Sequence, residues 1–265
     1  MRIPFQQIDA FAERPFGGNP AGVCRLDAPI DERIMQAIAA EMNLSETAFL
    51  CNNGDDFDLR WFTPRIEVPL CGHATLATAH MLWETGELDP EVAARFRTKS
   101  GTLTARRVDG SIELDFPALP VSPVTAPAGL LDALGVEARF VGQPVHRADF
   151  LIEVEDETIV RSVSPDFFSM KALGVRGAIV TARSSSSQWD FVSRFFAPGA
   201  GVNEDPVTGS VHCALAPYWA GRLGGTTFVG YQASERGGVV RMRIEGDRVL
   251  LAGTAVTVLR GELFV

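Results

Sequence analysis

Short runs of apolar, β-branched and aromatic residues alternate with polar turns along most of the chain, a pattern typical of β-strands. Helical spacing is rarer: Ile34, Ile38 and Met42 lie four residues apart, which predicts an amphipathic helix over 31–42. The mixture predicts an α+β fold. Strands are predicted at 5–11, 46–51, 57–62, 150–154, 178–182 and 189–196.

Two segments predict helices that are buried on every side. Gly72–Glu84 carries few charges on any face, and Gly86 is a suitable residue to end it. Val207–Ala220 is similarly apolar, although Pro217 should kink a helix there.

The two halves of the chain resemble each other. Arg60-Trp61-Phe62-Thr63-Pro64 is followed, about half the chain later, by Arg194-Phe195-Phe196-Ala197-Pro198. In both halves a predicted buried helix and then a hairpin signal follow, at 103–116 and 239–251. Chance similarity of two ordinary β-α-β passages is the alternative. We predict two pseudo-symmetric domains, each a curved sheet or barrel around a central helix. The proline-rich stretch at 117–127 is the natural linker, which gives domains 1–120 and 128–265, and the last strand could cross back to the first domain.

Composition narrows the functional class. A net charge of −9 and a pI of about 5.0 make the chain a poor partner for nucleic acid or an anionic membrane. No leader-like apolar segment opens the sequence, and the four scattered cysteines indicate free thiols in a reducing compartment. We therefore expect a cytoplasmic protein. Neither phosphate-binding glycine motifs nor a usual zinc-ligand spacing occurs, so no cofactor and no metal are expected.

The starts of the two buried helices are the candidate site. Asp205-Pro206 predicts a helix start with Asp205 as N-cap and Pro206 in the first turn, and Cys71-Gly72 is the equivalent in the first half. Helix N-termini attract carboxylates, so two starts facing one cleft could hold a carboxylate and a developing enolate. The alternative is that Asp205 only caps its helix, Cys71 is a small buried hydrophobe and His73 a core histidine.

Four stretches resemble the signature stretches of the PhzF-like, phenazine-biosynthesis family, in its order and spacing. The family is similar in fold to diaminopimelate epimerase, which has two β-barrel domains around central helices and uses a cysteine at each of two paired helix starts. This chain has Cys71 at one start and Asp205 at the other, which argues against racemisation by two cysteines. The stretches are Phe16-Gly-Gly-Asn-Pro-Ala-Gly-Val23, Leu44-Ser-Glu-Thr-Ala-Phe49, Cys71-Gly-His-Ala-Thr75 and Asp205-Pro-Val-Thr-Gly-Ser210.

The resemblance implies that Glu46 is the central acid/base and that His73 and Asp205 assist it. Strand alternation places Glu46 beside apolar neighbours, which should raise the pKa of its carboxyl group. An edge-strand glutamate in solvent is the alternative. The substrate-binding residues predicted from the resemblance and the helix starts are Asn19, Ser45, Cys71, Gly72, Gly209 and Ser210.

The function implied is that of a cofactor-independent isomerase. It would shift a proton and a double bond on a small cyclic or amino carboxylate. Two alternatives stay open: an epimerase or racemase acting at a carboxylate α-carbon, and a non-catalytic ligand-binding protein on the same scaffold. The resemblance also implies a homodimer.

Overall fold

A computed structural model describes all residues from Met1 to Val265. The chain divides into two compact units. Unit 1 contains Met1–Asp115 and Ala252–Val265, and unit 2 contains Phe116–Leu251. The C-terminal strand therefore belongs to unit 1. The prediction placed it within 128–265 and allowed that it could cross back to the first domain.

Strands dominate both units, as the alternating pattern predicts. The helices are α1 (Glu32–Met42), α2 (Gly72–Glu84), α3 (Leu130–Leu134), α4 (Glu157–Ser162), α5 (Phe167–Ala172) and α6 (Gly209–Leu223), with one 3-10 turn at Pro198–Ala200. The strands are β1 (Arg2–Ala10), β2 (Asn19–Leu26), β3 (Glu46–Asn53), β4 (Asp56–Phe62), β5 (Glu67–Val68), β6 (Ala94–Thr98), β7 (Gly101–Val108), β8 (Ser111–Pro117), β9 (Val121–Pro123), β10 (Phe140–Pro144), β11 (Asp149–Glu153), β12 (Gly177–Arg183), β13 (Phe191–Ala197), β14 (Val202–Asp205), β15 (Thr227–Gln232), β16 (Gly238–Glu245), β17 (Arg248–Gly253) and β18 (Ala255–Phe264).

Unit 1 wraps a mixed sheet around α2. Strand β1 pairs antiparallel with β18 and β2, β2 runs parallel to β3, and β3 runs antiparallel to β4. Helix α2 packs on β1, β2 and β3 and is buried along almost its whole length, as its uniformly apolar sequence predicts. Helix α1 is amphipathic and buries Met35, Ile38 and Ala39 in a separate cluster with Phe49 and Phe62.

Unit 2 repeats this plan around α6. Strands β11 and β12 run parallel, β12 and β13 antiparallel, and β13 pairs with both β14 and β15. Trp219 of α6 donates from Nε1 to Thr181 Oγ1 over 3.1 Å and stacks on Phe191 with ring centroids 5.7 Å apart. Pro217 lies inside α6, as predicted. None of the helices has the length and apolar character needed to cross a lipid bilayer.

The repeated pentapeptide has the same local role in each unit. Arg60 forms a bidentate ion pair with Glu67 of the next strand, with N–O distances of 2.8 and 2.7 Å. Arg194 pairs with Glu204 in the same way, at 2.7 and 2.8 Å. Each guanidinium also lies over the aromatic ring two residues further along its strand, at 5.2 and 4.7 Å. This ion pair joins each aromatic strand to the short strand that precedes the central helix.

Candidate active site

The chemistry-bearing residues of unit 1 meet where two strands and a helix begin. Strands β2 and β3 are parallel neighbours with Ala21 opposite Glu46, so Asn19 and Glu46 lie at the same edge of the sheet. Helix α2 packs on both strands and begins at Gly72, with Cys71 as its N-cap residue and His73 in its first turn. Asn19, Glu46, Cys71 and His73 are thus brought together from three stretches of the sequence.

The His73 ring forms the centre of this cluster. Its Nε2 atom lies 3.3 Å from Glu46 Oε2. On the opposite side of the ring, Nδ1 lies 3.3 Å from Asn19 Nδ2 and 3.6 Å from Cys71 Sγ. The His73 and Glu46 side chains are 6% and 19% exposed, and Asn19 is fully buried. Glu46 is therefore the acid of the cluster with access to solvent.

Burial fixes the charge of the imidazole. Loss of solvation lowers the pKa of His73 from 6.5 to about 3, so the ring is neutral at pH 7. A neutral imidazole has one donor and one acceptor nitrogen. The contact between Nε2 and Glu46 is longer than a typical hydrogen bond and is not fully aligned, as is common in catalytic sites before a ligand binds.

A tight turn before β2 presents Asn19 to the cluster. Gly18 has a φ of +59°, and a Cβ atom there would lie 2.1 Å from the Ala10 carbonyl oxygen, so only glycine fits. Phe16 also has a positive φ, of 71°, and its backbone N–H donates to Asp9 Oδ2 over 2.7 Å. This turn therefore holds Asn19 against the backbone of β1.

Glu46, Cys71 and His73 also carry metal-ligating atoms, all within 4.8 Å of one another. The imidazole directs Nε2 to the carboxylate and Nδ1 to the thiol. One ring nitrogen of His73 could therefore ligate an ion together with the Cys71 thiolate and the Glu46 carboxylate.

The start of α6 in unit 2 is built differently, and it corrects a prediction. The N-cap residue is Thr208 and the helix begins at Gly209, so the prediction that Asp205 caps α6 was wrong. Asp205 ends β14, and its Oδ2 accepts a 2.5 Å hydrogen bond from Thr208 Oγ1. Gln232 of β15 accepts from the Thr208 backbone N–H over 2.9 Å and donates to the Asp205 carbonyl over 2.7 Å. These long-range bonds take the place of a local cap.

Ser210 has an arginine neighbour that sequence analysis missed. Arg147 donates from Nη2 to Ser210 Oγ over 3.1 Å, and the same guanidinium contacts Asp149. Asp149 is buried and also accepts from Arg176. No local motif marks Arg147 or Gln232, because each reaches the start of α6 from a distant strand or loop.

The predicted site residues thus fall into two groups. In unit 1, Ser45 and Gly72 are half-buried beside Glu46 and Cys71 in the chain. In unit 2, Asp205, Gly209 and Ser210 lie at the start of α6, with Gly209 buried and Ser210 half-buried. Their roles toward a substrate stay predictions.

Comparison with known proteins identifies the family. The model of the phenazine biosynthesis-like protein family matches residues 8–261. The chain belongs to this family. It is 49% identical to an uncharacterized isomerase of Halalkalibacterium halodurans over 266 residues, covering 100% of both chains. It is also 49% identical to an uncharacterized isomerase of Pseudomonas aeruginosa, covering 99% of both chains.

Solved structures agree with this assignment. A PhzF-family protein of Enterococcus faecalis is 41% identical, covers 100% of both chains and superposes with a TM-score of 0.94. A probable proline racemase of Agrobacterium radiobacter, at 12% identity and a TM-score of 0.66, shares the fold alone. The predicted family and the α+β fold are confirmed, and the protein is an isomerase.

Proposed function

We propose that the protein moves a proton, and with it a double bond, on a small cyclic or amino carboxylate, and that Glu46 is the group that removes and returns the proton. One observation carries the proposal: the partly exposed Glu46 carboxylate lies 3.3 Å from Nε2 of a neutral, buried imidazole. One carboxylate oxygen can then be oriented by His73 while the carboxylate reaches a ligand.

The chemistry needs only a base, a donor and a place for negative charge. Glu46 takes a proton from a carbon activated by the substrate carboxylate, the C–H electron pair is delocalised onto that carboxylate, and Glu46 returns the proton to another carbon. Because His73 is neutral, it supports Glu46 by hydrogen bonding and not by charge. The N-terminal N–H groups of α2, beside Gly72, carry a partial positive charge suited to an enolate-like oxygen.

We propose further roles for Ser45 and for three residues of unit 2. Asp205 would assist proton transfer, and Ser45, Gly209 and Ser210 would bind substrate, as the family resemblance implies. Arg147, at 3.1 Å from Ser210 Oγ, is a further cation beside this group. Asp205→Asn and Ser210→Ala test these roles, since a role in proton transfer lowers kcat and a role in binding raises KM.

The test is proton exchange with solvent. Small cyclic and amino carboxylates are incubated with the protein in D₂O, and NMR follows deuterium at each carbon. We expect deuterium to enter together with a shift of the double bond. Glu46→Gln should lower turnover by about 10²–10⁴-fold, the usual contribution of general acid–base catalysis. The matched control is Glu41→Gln, which alters an exposed carboxylate on α1. Near-normal turnover by Glu46→Gln would exclude the proposal.

An epimerase or racemase is the second candidate, because the Cys71 thiol lies 3.6 Å from His73 Nδ1 and could serve as a second proton donor. It predicts deuterium at an α-carbon with inversion and no shifted double bond. Cys71→Ala would then abolish exchange from one face of that carbon.

The proposal also requires no cofactor. Dialysis against a chelator should leave turnover unchanged, and a loss that Zn²⁺ restores would assign a metal to the site.

A further inference from the structure

The two nitrogens of His73 have partners of opposite hydrogen-bonding character. Nδ1 faces the Asn19 amide nitrogen at 3.3 Å and the Cys71 sulfur at 3.6 Å. An amide nitrogen only donates, whereas a thiol can donate or accept weakly, so the amide determines the direction of the hydrogen bond at Nδ1. Nε2 faces Glu46 Oε2 at 3.3 Å, and an ionised carboxylate only accepts. All three contacts fit one tautomer, in which Nδ1 accepts and Nε2 carries the proton.

We propose that Asn19 is a positioning residue that holds His73 in its Nε2–H tautomer and so directs an N–H group at Glu46. The inference rests on the proposed role of Glu46, because the tautomer matters to turnover only if Glu46 is the base. Asn19 is fully buried. It therefore acts on the reaction through His73, whereas a substrate-binding role would need contact with the ligand.

The wrong tautomer would impair the site in a specific way. With the proton on Nδ1, the Nε2 lone pair would face the carboxylate, and two acceptors would repel each other. Glu46 could then approach His73 only in its protonated form, which cannot act as a base. Burial disfavours the imidazolium ion, so the ring has no third state at neutral pH.

The tautomer can be measured without a substrate. In the protein labelled with ¹⁵N-histidine, two-bond ¹H–¹⁵N correlation spectra distinguish protonated from unprotonated ring nitrogens. The chain has four histidines, and the His73 signals are assigned by their loss in His73→Leu. His212 is an internal reference, because its Nδ1 lies 2.9 Å from the Thr208 carbonyl oxygen and must donate. We expect His73 protonated at Nε2 and His212 protonated at Nδ1 in the same spectrum. A wild-type His73 protonated at Nδ1 overturns the proposal.

Asn19→Asp is the decisive variant, because a carboxylate can only accept from Nδ1. We expect His73 to change to the Nδ1–H or the doubly protonated form and kcat to fall by about 10²-fold, with KM changed much less. The control is Asn52→Asp, the same change on an exposed part of β3, which should alter neither. Cys71→Ser replaces the thiol at Nδ1 by a hydroxyl, while Asn19 stays in place, and should therefore leave the tautomer unchanged.

The outcomes separate this inference from the proposed function. An Asn19→Asp protein that keeps Nε2–H, or that loses turnover with the tautomer unchanged, overturns the positioning role. If Asn19→Asp raises KM and leaves kcat unchanged, Asn19 binds substrate and is not a positioning residue. Near-normal turnover by Glu46→Gln would exclude the proposed function even if the wild-type spectrum shows the expected tautomer.

Discussion

A buried histidine lies near the start of each central helix, and the two are held in opposite ways. In unit 1, His73 contacts three side chains, with donors at Nδ1 and the Glu46 carboxylate at Nε2. In unit 2, Nδ1 of His212 bonds to the Thr208 carbonyl of its own helix, while Nε2 is buried without a partner. Its ring also stacks on that of Phe191, with an interplanar angle of 28° and the centroids 6.2 Å apart.

The two histidines differ in their partners and not in residue type or burial. Burial lowers the pKa of both rings, to about 3 for His73 and about 4 for His212. Only His73 directs a nitrogen at a partly exposed carboxylate. The alternative considered for His73, that of a core histidine, fits the contacts of His212, and the catalytic role of His73 stays a prediction.

Replacing each histidine by leucine should give the largest difference in turnover between the two helix starts. His73→Leu removes the N–H group that supports Glu46, and we expect turnover to fall by about 10²-fold. His212→Leu should keep turnover within about tenfold, because Nδ1 of the ring bonds to the backbone of its own helix and Nε2 has no partner. The lost bond to Thr208 is worth about 0.5–1.5 kcal/mol of stability. Turnover and urea unfolding are measured for both variants. A larger loss of turnover in His212→Leu than in His73→Leu would reverse the assignment.

The two helix starts also differ in what holds them. Gln232→Leu would leave the Thr208 N–H and the Asp205 carbonyl without their partner, at a cost of about 1–3 kcal/mol each. We expect a clear fall in the urea midpoint. The matched control is Gln6→Leu in unit 1, a buried glutamine whose Oε1 has no partner, which should cost less. Equal losses would show that Gln232 does not hold the start of α6.

Local patterns predicted the elements that local interactions determine. Helix α2 has its predicted bounds, because its sequence is apolar on every face and Gly86 adopts the positive φ of a helix stop. The position of Asp205 was predicted wrongly, because Gln232 organises that turn from another strand. The short helices α4 and α5 were missed, although Asp156 and Asp166 each cap one and were visible signals.

The family motifs selected residues that the structure brings together in one cluster, but they did not predict the hydrogen bonding of that cluster. Asn19, Cys71 and His73 were selected from separate motifs, yet which nitrogen of the ring each partner faces depends on the packing of α2 on β2 and β3. Arg147 carries no motif and was found only through its contact with Ser210.

The lowered pKa of His212 predicts that the free energy of unfolding depends on pH, and this dependence is separate from the proposed chemistry of Glu46. The unfolded chain binds a proton at His212 near pH 6.5, whereas the folded chain does so only near 4, so unfolding takes up a proton between these values. Stability should fall as pH decreases through this window, by about 1 kcal/mol per pH unit from this group. Urea unfolding of the wild type and of His212→Leu at several pH values between 5 and 7 measures the slope, because the carboxylates contribute equally to both proteins. His212→Leu should reduce the slope by that amount, and an unchanged slope would contradict the prediction.

The smallest expected effect is the change in Tm caused by replacing the N-cap residues of α2 and α6. Cys71 and Thr208 are N-cap residues with extended backbone, and neither side chain caps its helix. At Cys71 a serine hydroxyl could accept from the N–H groups of the first turn, so Cys71→Ser should stabilise unit 1 by about 0.5–1 kcal/mol, or raise Tm by about 2 °C. The same site in unit 2 offers no such gain, because the Thr208 hydroxyl already donates to Asp205. Thr208→Ser should therefore leave Tm unchanged. If Cys71→Ser lowers Tm, the thiol contributes packing that outweighs a cap, and the two helix starts are more alike in stability than their side chains indicate.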